Sequence, residues 1–289
     1  MDKKTQSPSI QTKRSLRKTG IHARKNLGQH FLIDEAILQT IISAAGLSPV
    51  DFVIEVGPGL GILTTELVKL AGAVTAIELD TRLYMQLKQK LRSFSTFSIV
   101  NQDVLKVNLS ELLGNRHSYK VIANIPYYIT SPILQYFMQA VIKPSLMVVM
   151  VQKEVGQAIA SGPGKMNMLS ITMQIYSRPE IIAYVPSESF YPPPKVDSAI
   201  VRFNMLPEPV VKVADLNSFL RFVKCGFHSP RKQLRNSLSQ GLGITPVEIK
   251  PLLEKAKLDP QCRPETLGLS EWQRLYENAV TSGKVKTTC

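Results

Sequence analysis

Five short apolar, largely β-branched runs recur between residues 52 and 152: FVIEV (52–56), AVTAIEL (73–79), FSIVNQD (97–103), YKVIANI (119–125) and LMVVMVQ (146–152). Runs this short and this continuously apolar predict strands buried on both faces. Between most of them lie TTELVKLA, TRLYMQLKQKLR and SPILQYFMQAV, whose apolar residues return every three to four positions, the helical period. Strand and helix in alternation predict a parallel sheet covered on both sides. Two later runs, ITMQIYSRPEIIAYV and SAIVRFNML, have no full helix between them and predict an antiparallel hairpin at the sheet's edge. A helix is predicted over residues 34–45, where Ile37, Ile41 and Ala44 or Ala45 share a face and Gly46 provides the stop. Beyond Leu206-Pro207-Glu208-Pro209 the strand signal vanishes and helical periods continue to about Val280. The expected organisation is an arm over residues 1–25, one α/β domain over 26–207 and a small all-α domain over 208–289, without internal repeats.

Composition narrows the class. A chain of 289 residues with 44% hydrophobic and 20% charged residues buries a sizeable core without staples, and no stretch reaches the length of about eighteen apolar residues that a membrane span needs. The three cysteines, Cys225, Cys262 and Cys289, are far apart and odd in number, with no CxxC pair, so neither a disulfide framework nor a structural zinc is expected. No metal site is expected, and the location expected is the cytoplasm, since no apolar leader segment occurs in residues 1–30.

The formal net charge is +13, and its distribution says more than its size. Residues 1–25 carry eight Lys and Arg against one acid, residues 208–289 carry thirteen against eight, and residues 26–207 are almost balanced. Two basic ends flanking a neutral body suggest a polyanionic partner, a nucleic acid held by phosphate neutralisation. The arm, without apolar periodicity over residues 1–20, is expected to be disordered until it meets that partner.

The body carries the chemistry. After the first strand comes Glu55-Val56-Gly57-Pro58-Gly59-Leu60-Gly61, leading straight into a helix. Gly57 and Gly59 let backbone amides approach a ligand at a helix N-terminus, although a tight turn alone also uses glycine. The spacing is GxGxG, not the GxGxxG of dinucleotide enzymes, and the GK[ST] of a P-loop is missing. Glu78, at the end of the second strand, is placed to accept from both hydroxyls of a ribose, while Asp80 reads as a helix cap. Asp103, at the end of the third, is placed to accept from an adenine amino group. These positions fall at the C-terminal ends of adjacent parallel strands, where open α/β sheets bind ligands, and together they indicate an adenosine-containing cofactor.

The fourth strand ends in Asn124-Ile125-Pro126-Tyr127-Tyr128. An asparagine, then proline and tyrosine, in a strand-end loop resembles the signature of S-adenosylmethionine enzymes that methylate exocyclic amines. The physics suits that task. The lone pair of an adenine N6 is delocalised into its ring, so the amine must be aligned with the methyl donor and drawn toward a tetrahedral geometry. Asn124 Oδ1 and the carbonyl of Ile125 or Pro126 can accept its two N–H bonds, and Tyr127 can stack on the base. Downstream, Phe190-Tyr191-Pro192-Pro193-Pro194-Lys195-Val196-Asp197-Ser198 is stiff, polyproline-like chain. It either holds Phe190 over the other face of a flipped base or is a linker before the last strand.

With these residues in view, the chain resembles the KsgA/RsmA ribosomal RNA adenine dimethyltransferases, relatives of the Erm enzymes. The likeness runs through Asn26-Leu27-Gly28-Gln29-His30-Phe31-Leu32, EVGPGLG, residues 77–80, Gln102-Asp103, NIPYYITSP, FYPPPKVDSA, Phe227-His228-Ser229-Pro230-Arg231-Lys232-Gln233-Leu234-Arg235-Asn236 and RPETL (263–267). The last two blocks resemble the small-subunit branch. The resemblance implies a class I S-adenosylmethionine-dependent methyltransferase, Rossmann-like with a mixed seven-stranded sheet, and a helical C-terminal domain. The activity implied is transfer of four methyls to N6 of two adjacent adenosines near the 3′ end of small-subunit rRNA, the alternatives being an Erm-type enzyme acting on large-subunit rRNA and a ribosome-assembly factor acting mainly by binding. A monomer working on immature 30S subunits is expected. By the same resemblance, cofactor contacts fall on His30, Leu32, Gly57, Gly59, Glu78, Asp103 and Asn124. Target-base roles fall on Asn124, Tyr127 and Phe190, and RNA contacts on Arg231, Lys232 and Arg235. Two positions depart from the common pattern: His30 stands where many members have Asn, and Tyr128 where a small or polar residue is frequent.

Overall fold

The computed structural model describes Arg24 and residues 27–285; the remainder of the arm, and the disorder expected of it, lie outside the described residues. By their contacts the residues form two units, one of residues 1–156 and 179–205, the other of residues 157–178 and 206–289.

The first unit is built on strands β1 (Phe31–Leu32), β2 (Phe52–Val56), β3 (Ala73–Glu78), β4 (Phe97–Asn101), β5 (Lys120–Asn124), β6 (Leu146–Gln152), β7 (Ser177–Val185), β8 (Phe190–Tyr191) and β9 (Ser198–Met205). Seven of them form one sheet in the order β4-β3-β2-β5-β6-β9-β7. Strands β2 to β6 pair in parallel and β9 runs antiparallel to β6, so the sheet is mixed. Helices α1 (Glu35–Ala45), α2 (Ile62–Leu70), α3 (Thr81–Lys90), α4 (Leu109–Leu113) and α5 (Thr130–Gln139) fill the connections. The central strands read as uninterrupted apolar runs because both faces are covered: every residue of β2 is buried, as are Val121, Ile122 and Ala123 of β5. Helix α1 starts at Asp34, whose carboxylate accepts from the amides of Ala36 and Ile37, and stops at Gly46 in a left-handed conformation (φ 49°).

The predicted hairpin needs correction. Residues 171–176, expected as the start of a strand, belong to helix α7 (Met168–Tyr176), which follows α6 (Lys153–Ile159). The β-branched Ile171, Thr172 and Ile175 misled the pattern. Asn167 and Ser170 cap each other reciprocally at the helix start, a local device stronger than the strand preference of three side chains. Only from Ser177 does the chain extend, and β9 then inserts between β6 and β7. A second, two-stranded sheet was not foreseen: β1 pairs antiparallel with β8, Phe31 opposite Tyr191 and Leu32 opposite Phe190.

In the second unit α7 joins helices α8 (Leu216–Gly226), α9 (Leu234–Leu242), α10 (Pro246–Lys255) and α11 (Leu269–Thr281). Backbone bonds from Leu206 to Tyr176 and from Val210 to Ile175 tie α7 to the chain entering this unit, and Gly164 and Met166 donate to the Glu265 carbonyl. Trp272 and Phe222, both fully buried, meet edge to face at 6.3 Å, with Phe219 and Tyr276 adjoining. Among the described residues no helix is long and apolar enough to cross a membrane.

Candidate active site

The chain leaves β2 toward β3 and β4 on one side and returns through β5 and β6 on the other, so the β2/β5 pair is where the strand order reverses. Loops diverge at such a point and leave a crevice. A cavity lies there in the first unit, lined by the loop after β2, by Glu78, by Gln102 and Asp103, by the turn from Asn124 to Tyr128, and by residues 27–32.

The glycine loop owes its path to backbone conformations closed to most side chains. Gly57 and Gly59 have φ of 66° and 58°, and a Cβ on Gly59 would stand 3.3 Å from the Phe31 ring. Lys90 ties down the end of the loop, its Nζ donating to the carbonyls of Leu60 (3.1 Å) and Gly61 (3.3 Å). Glu78, 6% exposed, accepts from the Gly59 amide (3.2 Å) and the Asp80 amide (2.8 Å). Burial pushes its carboxyl above the usual range, and those two amides pull the other way. Asp80 is the cap the sequence suggested: it accepts from the Arg82 amide and guanidinium and from Gln29 Nε2, and Arg82 foremost holds it down to about 2. Arg24 approaches the same carboxylate at 3.7 Å, so Asp80 also secures the segment leading into residues 27–32. Asp103 Oδ1 accepts from the Leu105 amide and caps the turn after β4, at the cavity's edge.

At the end of β5 the amide of Asn124 has a fixed sense. Its Nδ2 donates to the His30 carbonyl at 3.1 Å; a carbonyl can only accept, so Oδ1 is the atom left for another partner. Pro126 O already accepts from Ile129 N (3.2 Å) and Thr130 Oγ1 (3.5 Å), which narrows the sequence's two carbonyls to Ile125 O. Tyr127 lines the cavity, its hydroxyl bonded to Ser198 Oγ at 2.6 Å and its pKa raised mainly by burial, so the phenol stays neutral. The His30 ring lies 6.0 Å from that of Tyr127 at 20° between planes. Leu32 is buried beneath the cavity. His30, Leu32, Gly57, Gly59, Glu78, Asp103, Asn124 and Tyr127 are thus brought together.

Phe190 is not among the lining residues. It is 2% exposed and packs with Leu32, Leu38 and Val185 in the core, held by the β1–β8 pairing. Arg231 and Lys232 are exposed in the second unit between α8 and α9, and Arg235, half-buried, donates to Gln233. Two contributors escaped the sequence reading. Ser198 tethers Tyr127 across 71 residues, which no local pattern signals. Glu55, quoted only as part of the loop, is 1% exposed at the cavity, and no group among the described residues bonds its Oε2. Burial pushes it up to about 8; Glu78 adds to that, and the Thr64 hydroxyl and Lys90 charge oppose it.

A glycine cradle, a ribose-height carboxylate and a third strand-end acid around one crevice fit S-adenosylmethionine, and the fold with this site defines a class I S-adenosylmethionine-dependent methyltransferase. Comparison with known proteins agrees. The profile described as ribosomal RNA adenine dimethylase matches residues 20–274. A protein of Dehalococcoides mccartyi named ribosomal RNA small subunit methyltransferase A is 44% identical over 94% of each chain. A protein of the same name from Alkaliphilus metalliredigens is 42% identical over 93% of this chain and 96% of its own. Among solved structures, the 23S rRNA methyltransferase ErmE superposes with TM-score 0.68 at 28% identity, covering 86% of this chain and 98% of its own. A dimethyladenosine transferase from Plasmodium falciparum, at 24% identity and covering 89% of this chain and 99% of its own, shares the fold with TM-score 0.72. The chain belongs to the ribosomal RNA adenine dimethylase family, and is an enzyme that uses S-adenosylmethionine to methylate rRNA.

Proposed function

We propose that this enzyme converts two adjacent adenosines in the hairpin near the 3′ end of small-subunit rRNA to N6,N6-dimethyladenosine, acting as a cytoplasmic monomer on immature 30S subunits. The observation that carries the reading is 44% identity, over 94% of the chain, to a protein named for the small subunit.

S-adenosylmethionine, when bound, supplies a methyl on a sulfonium, an electrophile that needs no activation by the protein. Gly57 and Gly59 would leave room for it, and Glu78 and Asp103 would hold its ribose and adenine. In the first transfer Asn124 Oδ1 and Ile125 O accept the two N6 hydrogens of the target, and in the second, when N6 keeps one hydrogen, one of them accepts it; these bonds strengthen as nitrogen turns tetrahedral and its hydrogen grows acidic. The proton lost from N6 leaves to water. Tyr127, neutral and tethered to Ser198, stacks on the base. Tyr127→Ala is expected to lose the stacking contribution, about 1–3 kcal/mol, and Tyr127→Phe only a small part of it; kcat/KM for methyl transfer measures both.

Exposed Arg231 and Lys232 supply phosphate contacts, with Arg235 beside them. Reversing Arg231 and Lys232 to glutamate is expected to weaken RNA binding and to flatten the plot of log affinity against log salt by roughly one unit per lost contact. Unchanged affinity and slope would place the RNA elsewhere.

The substrate reading is tested by labelled methyl transfer to unmethylated small subunits, with large-subunit rRNA and duplex DNA alongside. Label in small-subunit rRNA alone is the expected result. Preferential transfer to large-subunit rRNA would overturn it.

A further inference from the structure

We infer that the side chain of His30 is a positioning residue for the target-base site, holding the plane of Tyr127 and the path of residues 190–197; the inference rests on the adenine reading above. Three segments distant in sequence meet at this residue. Its Nδ1 lies 2.7 Å from the Pro192 carbonyl, 162 residues away; since that oxygen can only accept, Nδ1 carries the hydrogen. Its ring lies beside that of Tyr127, offset and near-parallel with centroids 6.0 Å apart, and its own carbonyl receives the Asn124 amide. One residue therefore touches the asparagine, the tyrosine and the proline-rich segment.

The arrangement is braced from both sides. Following His30, β1 pairs with β8, Ile33 N donates to Ser189 O at 2.8 Å, and Ser189 Oγ donates to Asp34 at 2.9 Å. Beyond Pro192, Ser198 holds the Tyr127 hydroxyl. Tyr127 is thus fixed at its edge by Ser198 and at its face by His30. A stacking ring fixed in this way meets a base without first losing its own rotational freedom, which is how rigid supports improve a site. The imidazole spends its Nδ1 hydrogen on Pro192 and its face on Tyr127, so the side chain works on the target-base side of the cavity, whatever the backbone of residues 30–32 contributes to the cofactor.

Two variants separate the contacts. His30→Phe keeps a ring over Tyr127 and removes the bond to Pro192, and His30→Gln keeps a donor and removes the ring. Both are compared with the wild type in S-adenosylmethionine affinity by calorimetry, melting temperature, kcat and KM on unmethylated small subunits, and hydrogen exchange of residues 126–130 and 187–198. The inference expects each variant to lose at least tenfold in kcat while cofactor affinity stays within twofold. Exchange should rise in both segments and not in β2 or β5. Wild-type kcat in both variants, a loss that follows weaker cofactor binding, or unchanged exchange in the two segments would overturn it. Absence of transfer by the wild type itself would count against the substrate reading, and the exchange measurement would still decide the role of His30.

Discussion

Asn124→Ala is expected to lower the single-turnover rate of methyl transfer by roughly 10²–10³, about 2.7–4 kcal/mol of barrier, the usual cost of deleting one preorganised polar group at a reacting centre. The size follows from where the amide points. With Nδ2 spent on the His30 carbonyl and Pro126 O spent on its own turn, Asn124 Oδ1 and Ile125 O are the acceptors that this strand end offers to an amine. Alanine removes one and leaves the His30 carbonyl without its donor. Asn124→Asp keeps an acceptor and loses that donor, so its rate should fall between the two. Cofactor affinity, measured on the same samples, should change far less than the rate; equal losses in both would make Asn124 a cofactor residue first.

The second large effect is on stability. Glu55 is fully enclosed beside the cofactor loop, and burial raises its carboxyl from an ordinary 4.5 to about 8. Below 4.5 the group is protonated in folded and unfolded chains alike and costs nothing. Between 4.5 and about 8 the unfolded chain releases a proton that the fold retains, so stability falls as pH rises; above about 8 the loss is complete. Each unit is worth about 1.4 kcal/mol, which makes the whole effect on the order of a few kcal/mol. Glu55→Gln, the same shape without the charge, should melt with the wild type near pH 4 and above it by roughly 5–10 °C at pH 8.5. Melting curves that stay parallel across that range would mean that Glu55 is ionised in the fold.

Much of the first unit was legible because burial on both faces writes itself as continuous apolar runs: β2, β3, β5 and β6 fall within one or two residues of their expected ends. The lining of the cavity was legible for a related reason. Glycines with positive φ and acids at strand ends are local requirements, so Gly57, Gly59, Glu78 and Asp103 announce themselves in sequence. One failure was local, and the others depended on partners far along the chain. Residues 171–176 read as strand from Ile171, Thr172 and Ile175, whereas the local cap between Asn167 and Ser170 made them part of helix α7. Strands β1 and β8 are two residues each, too short to show a period, yet their pairing is what buries Phe190. Glu55 looks like an ordinary polar position until the fold buries it beside Glu78, Thr64 and Lys90, and the contacts of His30 to Pro192 and Tyr127 have no sequence signature.

The central claim is that this crevice directs methyl groups to adenine N6 in small-subunit rRNA. The most direct test is to incubate the enzyme with S-adenosylmethionine and unmethylated small subunits, digest the rRNA, and locate the modified nucleosides by mass spectrometry. The expected products are N6,N6-dimethyladenosine at two adjacent positions near the 3′ end, four methyls per subunit at completion, and none with Asn124→Ala over the same interval. Methylation at another base atom, or at adenosines outside that hairpin, would contradict it.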